Sequence, residues 1–156
     1  MAYPEIGALA PQFTALDQNE QEVNIADLKG EYVCLYFYPK AMTPGCITQA
    51  VAIREDIREF EENNIKVLGV SPDEPKRLKK FEEKQGLNFT LLSDPEHKVA
   101  EMYGTWVLKK MYGREYYGFE RTTFILDKEG KILTVIPKVK PKEHVEKVLK
   151  IIKEGK

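Results

Sequence analysis

Cysteine is scarce in this sequence: Cys34 and Cys46 are the only two in 156 residues. So few exclude a disulfide scaffold, and the expectation is a cytoplasmic protein with reduced thiols. An excess of charge of one sign is also missing. Lys and Arg number 24 against 25 Asp and Glu, for a formal charge of −1, so there is no electrostatic case for nucleic acid or an anionic membrane as partner. The longest apolar run, Tyr32 to Tyr38, is too short to span a bilayer. The opening "MAYPEIGALAPQF" lacks a basic region followed by an apolar one, so it does not read as a secretory signal. His97 and His144 lie far apart, each amid charged residues and with no ligand spacing near a cysteine. No metal site is expected from them, and both read as surface or capping residues.

What is present describes one soluble domain over residues 1–156, with no repeat, low-complexity tract or long linker. "PQFTALDQNEQEVNI" holds two short β-prone pieces around a polar turn and reads as an N-terminal hairpin. "YVCLYFYP" (32–39) has no polar alternation, which suits a central strand buried on both faces and ended by Pro39. From Gly45 to about Glu62, Ala50, Ile53, Ile57 and Phe60 recur at helical spacing. A second buried strand follows at 65–72, then a charged helix at 74–85 ending before Gly86. Next come the short strand "FTLLSDP", a short helix closed by Gly104, and two strands (121–127, 131–136) around a Lys128–Gly130 turn. A last amphipathic helix runs from about Pro141 to Ile152. This alternation predicts an α/β fold with a central mixed sheet flanked by helices. Thioredoxin-like topology fits the order, whereas a nucleotide-binding fold would want a glycine-rich first turn, which is missing.

Cys46 falls in the first turn of the 45–62 helix, just past the buried strand. A helix N-terminus carries unpaired N–H groups and partial positive charge, and both favour thiolate, the nucleophilic form, over thiol. Pro44 is suited to the start of a helix, and Gly45 permits close approach of a small ligand. Thr43, three residues before the cysteine, can cap the helix or point at the sulfur. A lone cysteine is more often an inert packing residue. Pro39, Thr43 and Cys46 spaced across a strand, a loop and a helix make a far more specific pattern.

"YFYPKAMTPGC" closely resembles the active-site segment of the peroxiredoxins, in particular the bacterioferritin comigratory protein or peroxiredoxin Q branch. "GALAPQFTALDQNEQEV", "VLGVSPD", "LLSDPEHKVAEMYG", "KKMYGREYYGFERTTFILDKEG" and "VKPKEHVEKVL" match in order, so the likeness covers nearly the whole chain. The resemblance implies a thiol-dependent peroxidase that reduces hydrogen peroxide and organic hydroperoxides with no cofactor. In it Cys46 is the peroxidatic nucleophile, Thr43 bonds peroxide and sulfur, Pro39 shields the pocket, and Arg121 supplies fixed positive charge. The alternative for Arg121 is a strand-end charge paired with Glu120 or Asp127. Gln49 is read as helping to orient Arg121. The aromatic, basic stretch 106–118 corresponds to the family loop beside the active site, and is read as a pocket wall or a contact for a reductant or second subunit.

Many members of that branch carry a resolving cysteine five residues after the first, where this chain has Val51. Cys34, in a buried strand, is read as a small hydrophobe rather than a resolving partner. The expectation is therefore a one-cysteine mechanism using an external thiol: glutathione, a glutaredoxin or a thioredoxin. Monomer is the default state and dimer the alternative. A rival from another class is a redox sensor or holdase-like protein switched by oxidation of Cys46.

Overall fold

The computed structural model describes residues 3–155. Two strands open it, β1 (Thr14–Asp17) and β2 (Glu22–Asn24), paired antiparallel as the expected hairpin. The turn is built by Asp17, whose carboxylate accepts the N–H groups of Asn19 and Gln21 at 2.8 and 3.0 Å. Strand β3 (Tyr32–Phe37) lies parallel to β4 (Ile65–Ser71), and β4 parallel to β5 (Thr90–Ser93). With the antiparallel β8 (Thr123–Leu126) and β9 (Ile132–Ile136) they form a mixed sheet in the order β2-β1-β5-β4-β3-β8-β9.

The lack of polar alternation in β3 has a direct structural meaning. Successive side chains of a strand point to opposite faces, and here both faces are covered. Cys34, Tyr36 and Tyr38 pack against Ala50 and Ile53 of α1 (Pro44–Glu55) and Val148 of α5 (His144–Glu154). Phe60 of α2 (Ile57–Glu62) and Phe81 of α3 (Pro75–Gln85) join the same cluster. On the other face Val33, Leu35 and Phe37 meet Val99 and Ala100 of α4 (Lys98–Met102). Burying a side chain such as Ile53 or Phe60 contributes about 1.5–3 kcal/mol, and both are fully buried. The fold is thioredoxin-like, as the order of elements implied.

Several boundaries differ from the sequence reading. The helix expected over 45–62 is two helices, broken at Asp56, whose φ is −109° and whose N–H turns back to the Ile53 carbonyl at 3.1 Å. Aspartate is a weak helix former, and this one makes no side-chain cap. Strand β3 stops at Phe37, although the Tyr38 N–H still reaches the Val70 carbonyl at 3.0 Å, and the last helix begins at His144. Residues 106–118 are not a loop. They form a second, two-stranded sheet, β6 (Trp106–Met111) and β7 (Arg114–Phe119). Its turn residues Tyr112 and Gly113 both have positive φ, 51° and 76°, the geometry of a type I′ hairpin.

Candidate active site

The site forms where β3 ends and α1 begins. Cys46 is the third residue of α1 and is 2% exposed. Pro44 opens the helix, and Thr43 holds the N-cap position with extended φ and ψ of −93° and 153°. The Thr43 side chain makes no capping bond. Its hydroxyl donates instead to the Lys40 carbonyl at 2.8 Å, while its own carbonyl accepts the Ile47 N–H at 2.8 Å. The hydroxyl proton is thereby committed and the oxygen lone pairs remain as acceptors. Pro39 is half-buried at the start of this loop.

Arg121, just before β8, brings its Nη2 to 3.3 Å from Cys46 Sγ. Its Nη1 donates to Gln49 Oε1 at 2.7 Å, and Gln49, one turn after Cys46, is fully buried. Glu120 is engaged elsewhere, with the Tyr3 hydroxyl and with Thr122 Oγ1. The strand-end alternative for Arg121 is thus not what its guanidinium does. Gly45 makes room for the arginine: a Cβ there would lie 3.1 Å from Arg121 Nη2. The arrangement is a buried sulfur facing a fixed cation in the first turn of a helix whose N-cap residue is Thr43.

Two neighbours were not foreseen. Lys109 of β6 is half-buried, with its stem lying along Gly118 of β7, where a Cβ would meet Lys109 Cδ at 3.5 Å. Burial lowers its pKa, and the Arg121 charge lowers it further, while Cys46 pulls the other way. The register of a hairpin was needed to find it. His144 was expected at the surface or as a cap, and that reading is corrected. It is fully buried, its Nε2 is 2.7 Å from Thr123 Oγ1, and its ring centre lies 5.3 Å from that of Tyr36. Burial first, and the Arg121 charge second, push its pKa down to about 3. A signal was available, since position 144 shares a helix face with Val148 and Ile152, both fully buried. His97 does lie near the surface, stacked on Trp106 at 3.9 Å with its Nδ1 3.0 Å from Glu101.

The profile of the AhpC/TSA family matches residues 6–135. The chain belongs to that family. It is 48% identical to a putative peroxiredoxin bcp of Haemophilus influenzae, over 92% of this chain and 93% of that one. It is 46% identical to peroxiredoxin Bcp of Bacillus subtilis, over 96% of each. Among solved structures it is similar to a PrxQ mutant of Xylella fastidiosa, with a TM-score of 0.93 and 30% identity over 99% of both chains. It is also similar to the bacterioferritin comigratory protein of Xanthomonas campestris, studied for alkyl peroxide reduction, with a TM-score of 0.87 and 32% identity over 92% and 91%. The family is one of thiol-dependent peroxidases, and the chain is a peroxiredoxin with that activity. Among the described residues no helix is long and apolar enough to cross a membrane.

Cys34 is the other thiol. It is fully buried, and burial pushes its pKa up to about 12. Val51, half-buried on α1, offers no sulfur five residues beyond Cys46.

Proposed function

We propose that this peroxiredoxin reduces hydrogen peroxide and organic hydroperoxides through Cys46, by a one-cysteine cycle completed by an external thiol. The contact of Arg121 Nη2 with Cys46 Sγ at 3.3 Å carries the reading, because it sets a permanent cation against the one thiol at a helix N-terminus. The thiolate attacks one peroxide oxygen and the O–O bond breaks. Sulfur becomes a sulfenic acid, and the departing oxygen takes a proton to leave as water or alcohol. Charge moves from sulfur to the departing oxygen, and the Arg121 guanidinium faces both ends of that movement with donors already in place. Thr43, its own proton held by the Lys40 carbonyl, accepts the peroxide O–H. Pro39 closes the outer side of the loop against water.

An external thiol then attacks the sulfenic sulfur, releasing water and forming a mixed disulfide, and a second thiol frees Cys46. A glutaredoxin, a thioredoxin or glutathione fits that role. Cys34 takes no part, being buried and protonated within the sheet. The enzyme works as one cytoplasmic domain over residues 1–156, as a monomer or a dimer.

The test is intact mass after one equivalent of hydrogen peroxide, with a sulfenic-acid trap and no reductant. One trapped adduct on Cys46 is expected, together with loss of turnover in Cys46→Ser and retained turnover in Cys34→Ser with small thiols. Loss of two hydrogens without an adduct, or turnover surviving Cys46→Ser, overturns the reading.

A further inference from the structure

Residues 38–43 join β3 to α1, and Ala41 among them is held from outside. The Ala41 N–H donates to Asp73 Oδ2 at 2.7 Å, and the Ala41 carbonyl accepts Arg77 Nη2 at 3.3 Å. Arg77 Nε sits 3.0 Å from the other oxygen of the same carboxylate. Ser71 Oγ, at the end of β4, donates to Asp73 Oδ2 at 2.8 Å. Ser93 Oγ, at the end of β5, donates to the Asp73 carbonyl at 2.6 Å. Asp73 is only 7% exposed, and each of its carboxylate oxygens has a donor beside it. Met42, the residue after Ala41, has φ of 64°, a left-handed conformation that a non-glycine residue keeps only where its surroundings enforce it.

The peptide bond between Lys40 and Ala41 connects this clamp to the chemistry. A trans peptide is planar, so fixing its N–H fixes the direction of its C=O. Asp73 holds the N–H, and the C=O is the acceptor of the Thr43 hydroxyl. The aim of that hydroxyl is set by a carboxylate more than one element away, through a single rigid plane.

We propose that Asp73, held in turn by Arg77, is a positioning residue of the peroxidatic site that aims Thr43 through the Lys40–Ala41 peptide. This rests on Cys46 being the nucleophile.

The experiment follows single-turnover oxidation of Cys46 by hydrogen peroxide, with maleimide labelling of the buried Cys34 as the check that the fold is intact. Wild-type protein is measured first; if peroxide leaves Cys46 untouched, the assignment of the nucleophile fails before Asp73 is in question. Asp73→Ala is expected to slow oxidation by about tenfold, while Asp73→Asn, which keeps an acceptor for the Ala41 N–H, stays within about threefold of wild type. Arg77→Met slows oxidation by less, and it carries the test if Asp73→Ala does not fold. Because Asp73 acts through Thr43, Asp73→Ala adds less than about twofold in a Thr43→Val background. The proposal is overturned if Asp73→Ala oxidises at the wild-type rate, if the two losses multiply in full, or if the loss of rate comes with labelling of Cys34.

Discussion

His144 makes the acid stability of this protein depend on one side chain. The Nε2 atom has Thr123 Oγ1 at 2.7 Å, whereas Nδ1 is buried with no partner among the described residues. A bare ring nitrogen is cheaper to bury than an N–H with no acceptor, so the proton is assigned to Nε2. A second proton would have to go on Nδ1, in an apolar setting and facing the Arg121 charge, which is why the folded-state pKa falls to about 3 from the ordinary 6.5. The folded state therefore refuses a proton that the unfolded chain accepts. Stability is complete above the unfolded pKa and is lost as pH falls, at about 1.4 kcal/mol per unit, until the loss levels off near the folded pKa. Between pH 7 and pH 5 the loss from this residue is about 2 kcal/mol, a sizeable share of a typical domain's stability. Urea unfolding of wild type and His144→Gln at both pH values isolates it, because the carboxylates titrate in each protein alike. Wild type is expected to lose about 2 kcal/mol more than the variant over that interval. Equal losses in the two proteins refute the reasoning.

Two further outcomes follow from close approaches. Gly69 lies opposite Tyr36 in the β3–β4 pairing, and a Cβ there would sit 2.8 Å from the tyrosine ring. That ring is also packed against His144, Tyr38 and Phe89, so Gly69→Ala should cost about 1–3 kcal/mol in urea unfolding; an unchanged midpoint would show that the ring has somewhere to go. Lys109→Met keeps the aliphatic stem along Gly118 and removes the charge facing Cys46 and Arg121, so single-turnover oxidation of Cys46 should slow by about threefold or more. A rate equal to wild type would mean that the ammonium is too well hydrated to act on the site.

The parts of this molecule that were legible in the sequence are those governed by a few adjacent residues. Pro44 and Gly45 before Cys46 announce the start of a helix because each restricts or frees its own backbone, and "YVCLYFY" announces a doubly buried strand because no polar residue interrupts it. Gln49 against Arg121 was within reach because one turn separates Gln49 from Cys46. Lys109, Asp73 and His144 were not legible as site neighbours. Each reaches the site only through a register or a strand order: the β6–β7 hairpin for Lys109, the β3–β4 pairing for Asp73, the β3–β8 pairing for His144. The break at Asp56 was invisible for the opposite reason. The apolar spacing continues across it from Ile53 to Ile57 and Phe60, and periodicity alone registers one helix.

The burial of Cys46 bears on the one-cysteine cycle proposed above. At 2% exposure the sulfur admits a molecule the size of hydrogen peroxide far more readily than a protein thiol. A resolving cysteine at position 51 would stand about 7.5 Å along the helix axis, too far for a disulfide unless α1 unwound. With Val51 there, no internal reaction requires α1 to unwind. Cys34 shares the Cys46 side of the sheet and both thiols neighbour Tyr36, yet that ring is wedged between Gly69 and His144 and stacked on Tyr38. Joining the two sulfurs would mean displacing that ring from the core. Opening of the loop between Pro39 and Thr43 disturbs far less, because its outward holds are one carboxylate and one half-exposed arginine. The cheaper opening leads outward, toward an external thiol.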